Sequence, residues 1–104
     1  MIRKAFLMRL KPGQQQEYER RHNPIWPELQ SVLKGHGVSN YSIFFDRNTN
    51  ELFGYAEVES EDQWQEIAKT EVCRRWWVHM NDLMLTNADR SPATVELDEV
   101  FHLE

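Results

Sequence analysis

The stretch Tyr18-Glu19-Arg20-Arg21-His22-Asn23-Pro24-Ile25-Trp26-Pro27-Glu28-Leu29 holds the densest set of side chains able to do chemistry. Tyr18 and His22 are four residues apart, so on a helix they share a face. An imidazole with an ordinary pKa of about 6.5 gives and takes protons near neutrality. A phenol beside it makes an acid–base or a sugar-binding pair. The plainer reading of the same spacing is an amphipathic helix end, where a charged His22 interacts well with the last carbonyls. A second cluster is Arg74-Arg75-Trp76-Trp77. Adjacent helical residues point about 100° apart, so Trp76 and Trp77 do not both enter one core line. One fits a core while the other walls a pocket, where a flat indole meets the C–H face of a pyranose and offers its N–H to a hydroxyl. The alternative is that both are core.

Other candidates are weaker. His22, His36, His79 and His102 show no zinc-type spacing and have a single cysteine for company, so no metal site is expected. His36, at a helix end, reads as a surface or capping residue. No glycine-rich phosphate loop and no nucleophile elbow occurs. Cys73 stands beside Arg74 and Arg75, which lower a thiol pKa when it is exposed, but its place on an apolar stripe reads as buried. Glu28, Glu57 and Asp98 are the carboxylates weighed as partners for the imidazole, with surface charge the default for each.

These groups must be positioned by a short chain of 104 residues, which implies one domain over 1–104. A chain of this size buries about two-thirds of its unfolded surface, so its core is thin. Its 40% hydrophobic and 28% charged composition is globular. The net charge of −5 argues against nucleic acid as a partner, because phosphates need cationic cover. One cysteine cannot form an internal disulfide, which fits a reducing cytoplasm. No secretory signal and no apolar run of about 18 residues is present, so no membrane association is expected. Four Trp, three Tyr and five Phe are many for this length.

The element pattern is alternately strand-like and helical. Residues 2–10 alternate, with Ile2, Phe6, Met8 and Leu10 on one face. Pro12-Gly13 is a turn, and a helix from Gln14 to His22 is broken by Pro24. Pro27 opens a second helical piece that ends at Gly35 and Gly37. Residues 38–46 and 51–59 read as a hairpin. Ser60 with Gln63 is a capping box, and Thr70 caps a further helix running to about Leu83. The last strand is placed at 95–103.

This order is β-α-β-β-α-β with each helical region split in two, the α+β, ferredoxin-like arrangement of an antiparallel sheet with helices on one face. A face left to water should be polar at alternate positions. Here the third strand sets Leu52, Ala56 and Val58 against Phe53 and Tyr55, and the second sets Val38 and Phe44 against Tyr41, Ile43 and Phe45. Both faces are apolar enough to need cover. Two copies packed face to face, a homodimeric α+β barrel, are therefore expected.

Tyr18-x-x-x-His22-Asn23-Pro24-Ile25-Trp26-Pro27-Glu28-Leu29, Asn40-Tyr41-Ser42-Ile43, Trp76-Trp77, Ser91-Pro92 and Glu99-Val100-Phe101, in that order and spacing, make the chain resemble the L-rhamnose mutarotase family over its whole length. The resemblance implies a dimeric ferredoxin-like fold, no cofactor, L-rhamnose as substrate, an isomerase activity exchanging its α and β anomers, and a place in rhamnose metabolism. It also implies His22 as proton donor and Tyr18, Tyr41, Trp76 and Trp77 as sugar-binding residues. The loop Asn87-Ala88-Asp89-Arg90-Ser91-Pro92 departs from the family's more frequent Asn-Pro-Asp-Asn-Ser-Pro. Two other functions suit the same fold: a cofactor-free monooxygenase-like enzyme using the aromatic pocket, and a sugar-binding module that does not depend on His22. The aromatics then divide. Phe6, Trp26, Trp64 and Phe101 fill the core. Phe45, Phe53 and Tyr55 lie toward a partner subunit. Tyr18, Tyr41, Trp76 and Trp77 wall the pocket.

Overall fold

The computed structural model describes all 104 residues. β1 (Ile2–Arg9) is followed by α1 (Gln15–His22), α2 (Pro27–Gly35), β2 (Val38–Asp46), β3 (Glu51–Val58), α3 (Glu61–Ile67), α4 (Glu71–Met80) and β4 (Val95–Leu97). The strands form one sheet in the order β2-β3-β1-β4, every neighbouring pair antiparallel. This is the expected ferredoxin-like order, with the helices packed on one face of the sheet.

Local chemistry explains the helix starts. The Ser60 hydroxyl accepts from the Gln63 amide at 3.2 Å and opens α3. The Thr70 hydroxyl accepts from the Cys73 amide at 3.2 Å and opens α4. Each satisfies a donor that a helix start leaves without an internal partner. Pro27 sits in the first turn of α2, where its missing N–H costs nothing. The Nδ1 of His36 lies 2.7 Å from the Val32 carbonyl, so this histidine closes the end of α2 as expected. α1 ends at His22, and the following Asn23–Pro24 bond is cis.

The core has two parts. Phe6, Met8, Leu10, Leu29, Leu52, Trp76, Met80, Leu83 and Met84 form the larger, joined by Tyr18. Val38, Ala56, Val58, Ile67 and Cys73 form the smaller. Gly54 makes room for Phe6, its partner across the β1–β3 ladder. A Cβ there would lie 2.5 Å from the ring.

Five expectations are corrected. Val38 shares the helix-covered face with Tyr41, Ile43 and Phe45, rather than opposing them. The β2–β3 register shifts between Ser39 and Ser42, where Asn40 and Tyr41 together stand opposite the single residue Ala56. Asn40 takes a left-handed conformation at φ 49°, and this bulge reverses which face the following residues occupy. Phe45 consequently turns toward the helices, not toward a partner subunit. α4 stops at Met80, although Leu83 and Met84 beyond it remain buried. β4 is three residues long rather than nine, and Phe101 is 78% exposed instead of in the core. In the β1–β4 register Leu97 pairs with Ala5 and Glu96 with Phe6. Continued along that ladder, Val100 would stand opposite Ile2, the first residue of β1, so residues after it have no strand beside them.

The uncovered sheet face is apolar at its centre. Leu7 lies between Phe53 and Val95, and Phe53 is flanked in turn by Phe44. Phe44 is 63% exposed and Val95 60%.

Candidate active site

The helices and the inner sheet face enclose a cavity of about 610 Å³. That lies within the usual size range of small-molecule sites. Tyr18, His22, Tyr41, Trp76 and Trp77 all line it. The structure thus brings together the five residues singled out in the sequence.

α1 is polar apart from Tyr18, its one buried residue. It presents Gln15, Tyr18, Glu19, His22 and Asn23 to the cavity, a set spaced three and four apart along one helix stripe. The rings of Tyr18 and His22 stack with centroids 4.2 Å apart and planes 28° from parallel. Trp76 of α4 meets His22 edge to face at 5.2 Å and 89°. Trp26 also meets Trp76 edge to face, at 5.1 Å and 85°. Trp76 is therefore both core and cavity wall, while Trp77 is half-buried and forms the wall beside it. This resolves the two tryptophans much as their angular offset demands.

His22 is oriented by its own helix. Its Nδ1 lies 2.8 Å from the Tyr18 carbonyl oxygen. A carbonyl only accepts, so Nδ1 carries the hydrogen and the neutral ring leaves the Nε2 lone pair free. Burial pushes the imidazole pKa below its ordinary value of 6.5, and the bond to the Tyr18 carbonyl opposes this more weakly. The neutral, proton-accepting form is therefore favoured near neutral pH.

The two phenols behave differently. Burial raises the pKa of Tyr18, with the nearby Tyr41 adding to it. Burial also raises Tyr41, with Cys73 contributing. Both hydroxyls stay protonated in the neutral range, which makes them hydrogen-bonding groups and not bases. Neither hydroxyl has a hydrogen-bond partner within the protein. Tyr18 is 6% exposed, yet none of its polar atoms is both buried and unpaired, so its hydroxyl opens on the cavity, while Tyr41 lines the cavity and is 37% exposed. Tyr41 owes its place to the Asn40 bulge, and its ring leans on Phe6 and Trp64, each with centroids 6.2 Å away.

Among carboxylates, Glu19 lines the cavity, where it accepts from Gln15 at 3.3 Å. Sequence reasoning passed over it, although its place one residue after Tyr18 and three before His22 was the available signal. The three carboxylates weighed instead lie elsewhere. Glu28 binds Arg75 at 2.9 Å. Glu57, on the outer sheet face, accepts from Asn40 and Tyr55 at 2.9 Å each. Asp98 follows β4 in the exposed C-terminal segment. Cys73 is buried and its thiol is pushed up to about 11 by burial, a stronger effect than the opposing charge of Arg74. No three His, Cys, Asp or Glu side chains converge as a metal site.

Pro92 and Thr94 close another edge of the cavity. The loop before them is held by its own bonds: the Asn87 amide donates to the Ser91 carbonyl at 2.8 Å, and the Ser91 amide to Asp89 at 3.0 Å. No helix is long and apolar enough to cross a membrane.

Comparison with known proteins narrows what such a cavity serves. A family model described as L-rhamnose mutarotase matches residues 3–103. The L-rhamnose mutarotase of Pectobacterium atrosepticum is 59% identical over 104 residues, covering 100% of both chains. The crystal structure of an L-rhamnose mutarotase from Formosa agariphila superposes with a TM-score of 0.93 at 44% identity, again over 100% of both chains. An antibiotic biosynthesis monooxygenase superposes with a TM-score of 0.64 over 96% of this chain and 99% of that one. At 16% identity, that last likeness is one of fold alone.

Proposed function

Because this chain belongs to the L-rhamnose mutarotase family and is an isomerase exchanging the α and β anomers of L-rhamnose, we propose that His22 moves the proton in that exchange. The observation that carries this is the Nδ1 contact to the Tyr18 carbonyl, which leaves Nε2 free at the cavity. Mutarotation opens a hemiacetal and recloses it on the other face. The anomeric hydroxyl must lose a proton and the ring oxygen must gain one. Both oxygens sit on the same carbon, so one nitrogen serves both. Neutral Nε2 takes the hydroxyl proton as the C1–O5 bond breaks, and the resulting imidazolium donates to the ring oxygen. The open-chain aldehyde turns about C1–C2, and the steps reverse. A group titrating near the working pH does this best.

The remaining assignments follow from chemistry. Trp76 and Trp77 present flat apolar surface to the C–H faces of the pyranose. The hydroxyls of Tyr18 and Tyr41 bind sugar hydroxyls. The reaction proceeds slowly without a catalyst, so positioning and one acid–base group suffice, and no cofactor is invoked. Residues 1–104 act as one domain. Two copies pair through the outer sheet face of Leu7, Phe44, Phe53 and Val95, which supports the homodimer. With its single thiol the enzyme works in the cytoplasm, in rhamnose metabolism.

Saturation-exchange NMR on L-rhamnose tests the assignment of His22. His22→Ala is expected to lose anomer exchange by roughly a hundredfold or more while its circular dichroism stays that of the wild type. A folded His22→Ala that exchanges anomers at the wild-type rate sinks the assignment. Sedimentation of a dilute, stable monomer sinks the dimer.

A further inference from the structure

α1 carries His22, yet only Tyr18 of this helix is buried. Something else must set its position against α4, which carries Trp76 and Trp77. Arg21 does so. Its side chain is 14% exposed, unusual for a charged group, and four of its five N–H donors are paired within the protein. Nε donates to Glu17 at 2.7 Å, one helical turn earlier. Nη1 donates to the His79 carbonyl at 2.6 Å and to Asp82 at 2.9 Å, and Nη2 reaches the other Asp82 oxygen at 3.3 Å.

The His79 carbonyl belongs to the last turn of α4, where carbonyls lack an internal partner and the helix end carries partial negative charge. The guanidinium thus bridges the last turn of α1 to the last turn of α4. Its planar fork holds Glu17, a backbone carbonyl and a carboxylate at once, which a lysine ammonium on a flexible stem does not reproduce. The bridge lies beside the place where His22 meets Trp76 at 5.2 Å.

We propose that Arg21 is a positioning residue: by clamping α1 to the C-terminal end of α4, it sets the Nε2 of His22 against the reacting oxygens of the sugar. This rests on the assignment of His22 as the group that moves the proton. Misplacing a catalytic group by a fraction of an ångström slows chemistry while leaving most sugar contacts intact. The clamp therefore acts on kcat more than on KM.

The experiment compares Arg21→Met, Arg21→Lys and Asp82→Asn with wild type and His22→Ala, by anomer-exchange NMR and thermal denaturation. Arg21→Met is expected to lower kcat about tenfold or more, with KM changed by less than about threefold. Arg21→Lys restores little of this. Asp82→Asn lowers kcat by about threefold, and the Arg21→Met/Asp82→Asn pair is no worse than Arg21→Met alone, since the two act as one unit. Wild-type kcat in folded Arg21→Met overturns the proposal. So does a loss of activity that only tracks the unfolded fraction, or full rescue by Arg21→Lys. If Arg21→Met does not fold, Asp82→Asn decides, because Asp82 is largely exposed and its loss spares the core; unchanged kcat there overturns the clamp. An active His22→Ala would instead remove the underlying assignment, a result distinct from any of these.

Discussion

Replacing Gly54 by alanine tests how the cavity wall is supported. The new Cβ would lie 2.5 Å from Phe6 Cε2 and 2.6 Å from Cζ. Carbon atoms in contact prefer about 3.5–4.0 Å, so the ring must shift by roughly an ångström. Phe6 is only 7% exposed and packs within the larger core cluster, which leaves little space for that shift. Overpacking of this kind costs about 1–3 kcal/mol. Alanine recovers roughly 0.5–1 kcal/mol because it loses less backbone freedom than glycine. The net loss centres on about 1.3 kcal/mol, which in a domain of this size lowers the melting temperature by roughly 5–10 °C. The displaced ring also disturbs Trp64, at 6.0 Å, and Tyr41, at 6.2 Å, so KM for L-rhamnose rises while His22 still turns over. Circular dichroism melts and exchange NMR read both effects. Adding Phe6→Leu removes the clashing ring edge, so the double variant should be more stable than the two single losses sum to, by about 1 kcal/mol. A Gly54→Ala protein melting at or above wild type, or a strictly additive double variant, refutes the reasoning.

Two further outcomes follow from individual residues. Burial holds His22 below its ordinary pKa of 6.5. As pH falls, the unfolded chain takes this proton first, so the associated stability is present above the unfolded value and is lost as pH drops through the folded one. The acid limb of kcat/KM, followed by exchange NMR, should therefore have an apparent pKa below 6.5; a limb at or above that value contradicts the buried, neutral imidazole. Arg90 sits at φ 72°, where a side chain with a Cβ is strained by about 1–2 kcal/mol, and asparagine tolerates that region better. Arg90→Asn should stabilise the chain by roughly 0.5–1 kcal/mol with activity unchanged, and a melting temperature that stays level or falls rejects the strain.

The sequence by itself determined what depends on near neighbours. The four-residue spacing of Tyr18 and His22 put them on one helix face because helical geometry is the same in any fold. Ser60 and Thr70 marked helix starts because their hydroxyls reach amides only three residues on. The alternation of β1 chose its buried face because strand geometry repeats every two residues. The whole-chain resemblance carried the family, and with it five residues that meet in one cavity. Other features belong to the tertiary structure, because they depend on partners far along the chain or on a break in local phase. In Val38-Ser39-Asn40-Tyr41 only the tolerance of Asn40 for a left-handed backbone hinted at the bulge that turns Tyr41 and Phe45 inward. The strand drawn through residue 103 ended at Leu97, since alternating apolar residues make a strand only where another strand lies beside them. Glu19 rather than Glu28, Glu57 or Asp98 faces the cavity, a matter of how α1 is rolled onto the sheet. What holds α1 there is Arg21, whose partners His79 and Asp82 lie 58 and 61 residues away. No local pattern announces such a pairing; only the packing of one helix end against another creates it.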